Sequence, residues 1–267
     1  MIEQLPVLDH GYVKYVGHMG SDETVIEAAR MSTGKGFQRW EKDAKLLDFL
    51  YRHHHSTPFE MCELAIEVQA PIFVFREWMR HRTQSYNELS ARYTWMPNLH
   101  YVPSADRFLP KESSNKQESS EFFAVGTNED FRELVEKDQQ SIYKLYEGML
   151  SAGVPKEVAR LNTPVSRYSR MRAKTDLRNW LGFLNLRMRE NAQWEIREYA
   201  GAVGKIIESI WPRTYALFLE YDLNAKSFSS KELEVLRESV DLEAVLKRAE
   251  STGMSSSKIE ELRKKLS

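Results

Sequence analysis

Glu63-Leu64-Ala65-Ile66-Glu67-Val68-Gln69-Ala70-Pro71-Ile72-Phe73-Val74-Phe75-Arg76-Glu77-Trp78 changes its hydrophobic rhythm part-way along. Over residues 63–70 apolar and polar side chains alternate, with Leu64, Ile66 and Val68 on one side and Glu63, Glu67 and Gln69 on the other. A period of two sends successive side chains to opposite faces, so this stretch reads as a strand with one wet face. Pro71 suits the first position of a helix, where its missing N–H is not needed, and IFVFREWMRHR (72–82) reads as that helix.

Working outward, Ser21 or Asp22 caps a helix through Ala28, Ala29 and Arg30. A second helix spans Glu41 to His53, with Ala44, Leu47, Leu50 and Tyr51 on one face. Residues 104–130 are polar and poorly periodic and read as a long loop or insertion. A helix follows from Phe131 to Ser151, closed by Gly153 and Pro155, then a short helix holding Val158 and Arg160. A strand is expected over 165–172. Asp176 caps a helix on which Leu177, Leu181, Leu184 and Met188 share a face, another helix runs from Asn191 to Ile210, and Pro212 opens the next. The last forty residues are charge-rich and aromatic-poor, with capping-box pairs at Ser229/Glu232 and Ser257/Glu260.

The composition is that of a globular chain: 267 residues, 42% hydrophobic and 29% charged, with six Trp, twelve Tyr and twelve Phe. No basic start followed by an apolar stretch and no long apolar window stands out, so neither a signal peptide nor a membrane span is expected. A single cysteine, Cys62, leaves no disulfide within the chain and suggests a reducing, cytoplasmic setting. The net charge of −1 argues against a whole-molecule grip on nucleic acid. Between Lys156 and Arg197, however, ten Lys/Arg face four Asp/Glu, a local excess that suits a small anion. His53, His54 and His55 do not make a metal site, because neighbours on a helix diverge by about 100°. Cys62 borders a strand with a buried face and reads as a small hydrophobe rather than a nucleophile.

The densest chemistry lies in Arg80-His81-Arg82-Thr83-Gln84-Ser85-Tyr86-Asn87-Glu88-Leu89-Ser90-Ala91-Arg92-Tyr93. Arginine offers a planar fork of donors that matches phosphate and stays charged. From residue types alone the segment reads equally as an anion-binding array or as a solvated helix end whose charges pair with one another.

The spacing Arg80-His81-Arg82, seven residues, then Ser90 resembles the signature of flavin-dependent thymidylate synthases. Other stretches resemble the same family: His55-Ser56-Thr57-Pro58-Phe59-Glu60, Pro71 to Val74 with Trp78, Gly153-Val154-Pro155 with Ala159-Arg160, Phe183-Leu184-Asn185-Leu186-Arg187, and Ala192-Gln193-Trp194-Glu195-Ile196. The likeness covers residues 20–222. It implies a synthase domain over 1–222 and a charged helical extension over 223–267. The implied fold is α/β of the α+β type, with helices around a small, mostly antiparallel sheet. The implied assembly is a homotetramer whose active sites are shared between subunits. The implied reaction takes a methylene from 5,10-methylenetetrahydrofolate to C5 of dUMP and reduces it through FAD, which NADPH recharges.

Carried over residue by residue, Arg80 and Arg160 fall on the dUMP phosphate. Glu88, Leu89, Ser90, Ala91 and Arg92 wrap the nucleotide, with Ser90 near the uracil, and Glu77 lies in the substrate-lining helix. Thr57, Arg80, His81, Arg82, Glu88, Asp176, Arg178 and Gly182 fall where the family contacts FAD. Arg187 falls where an arginine faces the N3/O2 edge of uracil, and His55 near the flavin and incoming folate or nicotinamide. Arg187, Ser90 and His55 are thereby the candidate catalytic residues, Ser90 as a hydrogen-bond donor. The chain departs from the pattern at Glu77, where glutamine is usual, at Gly182, where Asn or His is frequent, and at Asn191, where a His is usual. Two rival readings remain: a nucleotide- or RNA-binding module using the basic stretch 156–197, whose affinity would fall steeply with salt, and a flavoprotein of this fold without the activity.

Overall fold

A computed structural model describes residues 3–108 and 128–266. The chain divides into two compact units, Met1–Leu223 and Asn224–Ser267. The first holds five strands, β1 (Gln4–Val7), β2 (Gly11–Met19), β3 (Glu63–Pro71), β4 (Ser85–Glu88) and β5 (Tyr168–Asp176), in one antiparallel sheet of order β1-β2-β3-β5-β4. Its helices are α1 (Asp22–Arg30), α2 (Trp40–Arg52), α3 (Thr57–Glu60), α4 (Ile72–Trp78), α5 (Asn128–Ser151), α6 (Lys156–Ala159), α7 (Leu177–Arg187), α8 (Trp194–Ile210) and α9 (Pro212–Phe218). The second unit holds α10 (Ser230–Ser239), α11 (Leu242–Ser251) and α12 (Ser256–Leu266).

The alternation in β3 translates directly into burial. Leu64, Ile66, Val68 and Ala70 are fully buried, and β5 is in step, with Ile66 opposite Ala173 and Val68 opposite Met171. The opposite face carries Glu63 against Lys174 (2.5 Å) and Glu67 against Arg172 (3.6 Å). On the apolar face, Trp78 from α4 meets Phe183 and Trp180 of α7 at 4.5 and 6.3 Å and Tyr199 of α8 at 6.4 Å. Gly11 allows the sheet's close approach to α8: a Cβ there would lie 1.9 Å from the Tyr199 hydroxyl, which donates to the Gln69 carbonyl.

Several sequence expectations shift. Pro71 is the last residue of β3, opposite Tyr168, and forms the N-cap of α4 rather than its first turn. The helix stops at Trp78, so Arg80, His81 and Arg82 stand in a turn. Two tethers accompany the stop: the Trp78 indole donates to the buried Gln84 side chain at 3.0 Å, and the Tyr86 hydroxyl donates to the Trp78 and His81 carbonyls. The chain then pairs as β4, a strand that the residue pattern does not suggest. Strands β1 and β2 are likewise absent from the sequence reading, although Val13 is buried between half-exposed Tyr12 and Lys14. Strand β5 begins at Tyr168, not residue 165, because Arg167 N–H closes a turn on Pro164. Helix α8 begins at Trp194, after a turn from Ala192 N–H to the Arg189 carbonyl. Of the expected loop 104–130, only 104–108 and 128–130 are among the described residues: Ala105–Phe108 forms a 3-10 turn and α5 starts at Asn128. The Ser229/Glu232 capping box is present, while α12 is capped by Ser255, which accepts from Lys258 N–H, rather than by Ser257.

Candidate active site

The expected site residues fall into three groups within one chain. The first surrounds a cavity of about 340 Å³ lined by His54, His55, Arg178, Gly182, Asn185 and Asp222, among others. Asp176 caps α7, accepting from Asn179 N–H at 2.9 Å, and so aims the helix whose Gly182 and Asn185 face this cavity one turn apart. Arg178 is half-exposed and lies 3.6 Å from Glu60 at the end of α3, whose first residue is the exposed Thr57. The His55 ring leans on Phe49 at 5.5 Å, and His53 packs on the same ring at 4.4 Å.

Asn185, inside the FLNLR motif, lines the same cavity, although its residue type gives no signal for a site in the sequence. Its side-chain oxygen accepts from Arg189 Nη2 (2.7 Å) and Nε (3.2 Å), and Arg189 is itself held by the Asp222 carbonyl. Arginine has no acceptor, so the amide must turn its oxygen to Arg189 and its NH₂ away. A Cβ placed on Gly182 would meet nothing within 4 Å, leaving α7 open toward a flat ligand. The volume lies at the small end of ligand pockets and suits the ring portion of a flavin rather than a whole dinucleotide. The donor set of Asn185, Arg178 and His55 fits a heterocycle edged with carbonyl and ring-nitrogen acceptors.

The second group joins α4, the following turn and the end of α7. Arg187 Nε donates to His81 Nε2 at 3.0 Å, its Nη2 to the Glu77 carbonyl at 3.0 Å, and its Nη1 lies 3.5 Å from the Glu77 carboxylate. Because arginine only donates, His81 accepts through Nε2 and is neutral. Burial, reinforced by the neighbouring Arg187, holds its pKa down to about 4. Glu77 is pushed upward by burial, against the pull of Arg187. The departure from glutamine at position 77 therefore has its neutralising arginine. Arg80 and Arg82, on either side of His81, are exposed and form no ion pair among the described residues.

The third group lies where β4 meets the start of β5. Glu88 accepts from the Ser169 hydroxyl at 2.7 Å. Leu89 N–H pairs with the Arg170 carbonyl, and the Ser90 oxygen accepts from Arg92 N–H at 3.2 Å, closing a turn in which Ala91 is buried. No histidine or carboxylate hydrogen-bonds Ser90 among the described residues, as nucleophilic activation would require. Arg92 pairs with Glu157 at 3.1 Å, tying this turn to α6, which delivers Arg160. No hydrogen bond or ion pair among the described residues joins Arg187 to Ser90 or Arg160.

Other sequence candidates settle elsewhere. Cys62 is fully buried, its thiol pointing to the Ser21 carbonyl, and burial pushes its pKa up to about 12, so it is no ready nucleophile. No group of three His, Cys, Asp or Glu with metal-holding geometry occurs among the described residues. No helix among them is long and apolar enough to cross a membrane.

Residues 14–213 match the family model of the thymidylate synthase complementing protein. The chain belongs to the flavin-dependent thymidylate synthase family. A relative bearing that name from Wolbachia pipientis wMel is 40% identical over 253 residues, covering 95% of this chain and 89% of its own. One from Thermus thermophilus is 39% identical over 262 residues, covering 98% and 95%. Among solved structures, a UMP/dUMP methylase, PolB from Streptomyces cacaoi, bound with 5-Br dUMP, superposes with a TM-score of 0.71 at 30% identity, covering 82% of this chain and 99% of that one. The family match takes in the named residues of all three groups except Asp222 and stops short of the second unit.

Proposed function

We propose that this enzyme converts dUMP to dTMP, with 5,10-methylenetetrahydrofolate as one-carbon donor, FAD as cofactor and NADPH as reductant. Arg187 carries the reading. Its guanidinium is fixed by His81 and Glu77, and a fixed cation aimed at charge developing on the pyrimidine is often the largest catalytic contribution. In this reading Arg187 stabilises the uracil as C5 becomes nucleophilic, and Ser90 donates a hydrogen bond near the base. Arg80 and Arg160 hold the phosphate, with Glu88, Leu89, Ala91 and Arg92 closing round the nucleotide beside Glu77. Thr57, His81, Arg82, Asp176, Arg178 and Gly182 would hold the flavin, with Arg80 and Glu88 touching both ligands and His55 at the ring end. FAD, when bound, supplies the hydride that completes the methyl group.

Because no hydrogen bond or ion pair among the described residues joins the Arg187 group to the Arg160 group, we place the complete site between copies of the chain, in a homotetramer. The test is an anaerobic assay containing dUMP, methylenetetrahydrofolate, FAD and NADPH, scored for dTMP, with each component omitted in turn. Loss of product on every omission is expected. Product without FAD, or none with all four present, overturns the reading.

A further inference from the structure

Arg167 has no part in the groups described so far. It sits in the turn entering β5 and its backbone is tied three ways: its N–H donates to the Pro164 carbonyl (3.1 Å), its carbonyl accepts from Ile72 N–H (3.0 Å), and it bridges to His100. The residue is 8% exposed, and its Nε and Nη1 are buried with no hydrogen-bond partner among the described residues. A guanidinium cannot shed its proton to escape this, and buried unpaired donors are costly.

The surrounding charges leave it under-compensated. Burial lowers the Arg167 pKa from the usual arginine value; Glu88 and Tyr146 act against that shift, and Arg160 adds to it. Glu88 is already engaged by the Ser169 hydroxyl. Arg92, in the turn after β4, pairs with Glu157. His100 adds no charge of its own, since burial and the neighbouring Arg167 lower its pKa. Arg167 thus has one carboxylate, Glu88, set against its burial and a second guanidinium, Arg160. An anion is the group this arrangement lacks.

We propose that Arg167 is a further anion-holding residue of the nucleotide subsite, standing beside Arg160 to bind the phosphate monoester of the substrate. The proposal rests on the dUMP reading above and extends it to a residue outside the family motifs. A phosphate monoester carries about −1.5 to −2 at neutral pH, enough to offset the surplus positive charge. Because Arg167 is braced by backbone bonds to α4 and to the 100-segment, its charge is in place before the ligand arrives.

The test compares the full FAD-loaded chain with Arg167→Met and Arg167→Lys by isothermal titration against dUMP and against deoxyuridine, which lacks the phosphate. Arg167→Met is expected to weaken dUMP about tenfold while leaving deoxyuridine unchanged, as for the loss of one charge-assisted contact. Arg167→Lys should fall in between, about threefold weaker. Equal losses on both ligands mark a structural residue and overturn the proposal, as does unchanged dUMP affinity in either variant. If Arg167→Met does not fold, the lysine variant decides by the same comparison. A wild-type chain that ignores dUMP sinks the functional reading instead. Thermal stabilisation by inorganic phosphate then tests Arg167 alone: its loss in Arg167→Met supports an anion site, and its persistence overturns one.

Discussion

Arg187 donates to His81 and to the Glu77 carbonyl while its remaining nitrogen faces the Glu77 carboxylate, so the guanidinium plane is set before any ligand binds. Arg187→Ala is expected to lower kcat about 10²–10³-fold, the usual effect of deleting one preorganised electrostatic group, with FAD affinity little changed. Steady-state rates beside flavin fluorescence titration check this, and a wild-type rate would remove Arg187 from the chemistry. Arg80 differs in being exposed and unpaired among the described residues. Arg80→Lys keeps the charge and loses the fork, so dUMP binding should weaken about ten- to a hundredfold, and an unchanged dissociation constant would withdraw the phosphate assignment. His81 has a pH signature. Its folded pKa of about 4 lies below the ordinary histidine value, so between these limits the unfolded chain binds more protons and stability falls as pH drops through the window. Glu77, raised in the fold, acts in the opposite sense just above the ordinary carboxylate pKa. In urea melts, His81→Gln should flatten the decline from about pH 6.5 toward about pH 4. A variant that keeps the full wild-type slope would show that another group sets it.

At the scale of elements, α7 links the cavity group to the Arg187 group, and Asp176 caps it, while in the proposed function Asp176 also helps hold the flavin. The two roles separate experimentally. Asp176→Ala should cost about 1 kcal/mol through the lost cap, whereas Asp176→Asn keeps a capping oxygen and removes the charge. Equal thermal stability of Asp176→Asn and wild type, with weaker FAD binding, is the expected result. A melting temperature as low as that of Asp176→Ala would mean that the carboxylate charge, not the cap, stabilises the helix. The same elements show which parts of the fold are legible in the sequence. Strand β3 is readable because one wet face imposes a period of two, and the α7 cap because Asp precedes a regular apolar stripe. Strand β4 is not, because Ser85–Glu88 is a polar four-residue edge whose pairing partner, β5, lies far along the sequence, with Ser85 opposite Lys174 and Glu88 opposite Met171. Asn185 lies within a recognisable motif, but its orientation depends on Arg189 and Asp222, and Arg167 carries no periodic or motif signal.

The largest scale concerns the two units. The main core draws its buried residues from Val7 to Phe218, with partly buried neighbours reaching Leu223, so it lies wholly within the first unit. In the second unit only Leu246 and Ala249 are buried hydrophobics among the described residues. About forty residues with so thin a core lack the apolar burial that stable small domains need. Residues 223–267 also carry nine basic and eight acidic residues, and a net charge of +1 offers little to steer an anionic substrate. The charged extension is therefore expected to be dispensable for the chemistry. A chain ending after Leu223 should keep its cooperative melt, hold flavin near one per subunit by visible absorbance, and turn over dUMP within about twofold of the full chain. The isolated segment 224–267 should show weak helicity by circular dichroism. If the shortened chain melts normally and retains flavin but loses turnover, the second unit acts in catalysis, and the division of the protein into a synthase domain and an appendage is wrong.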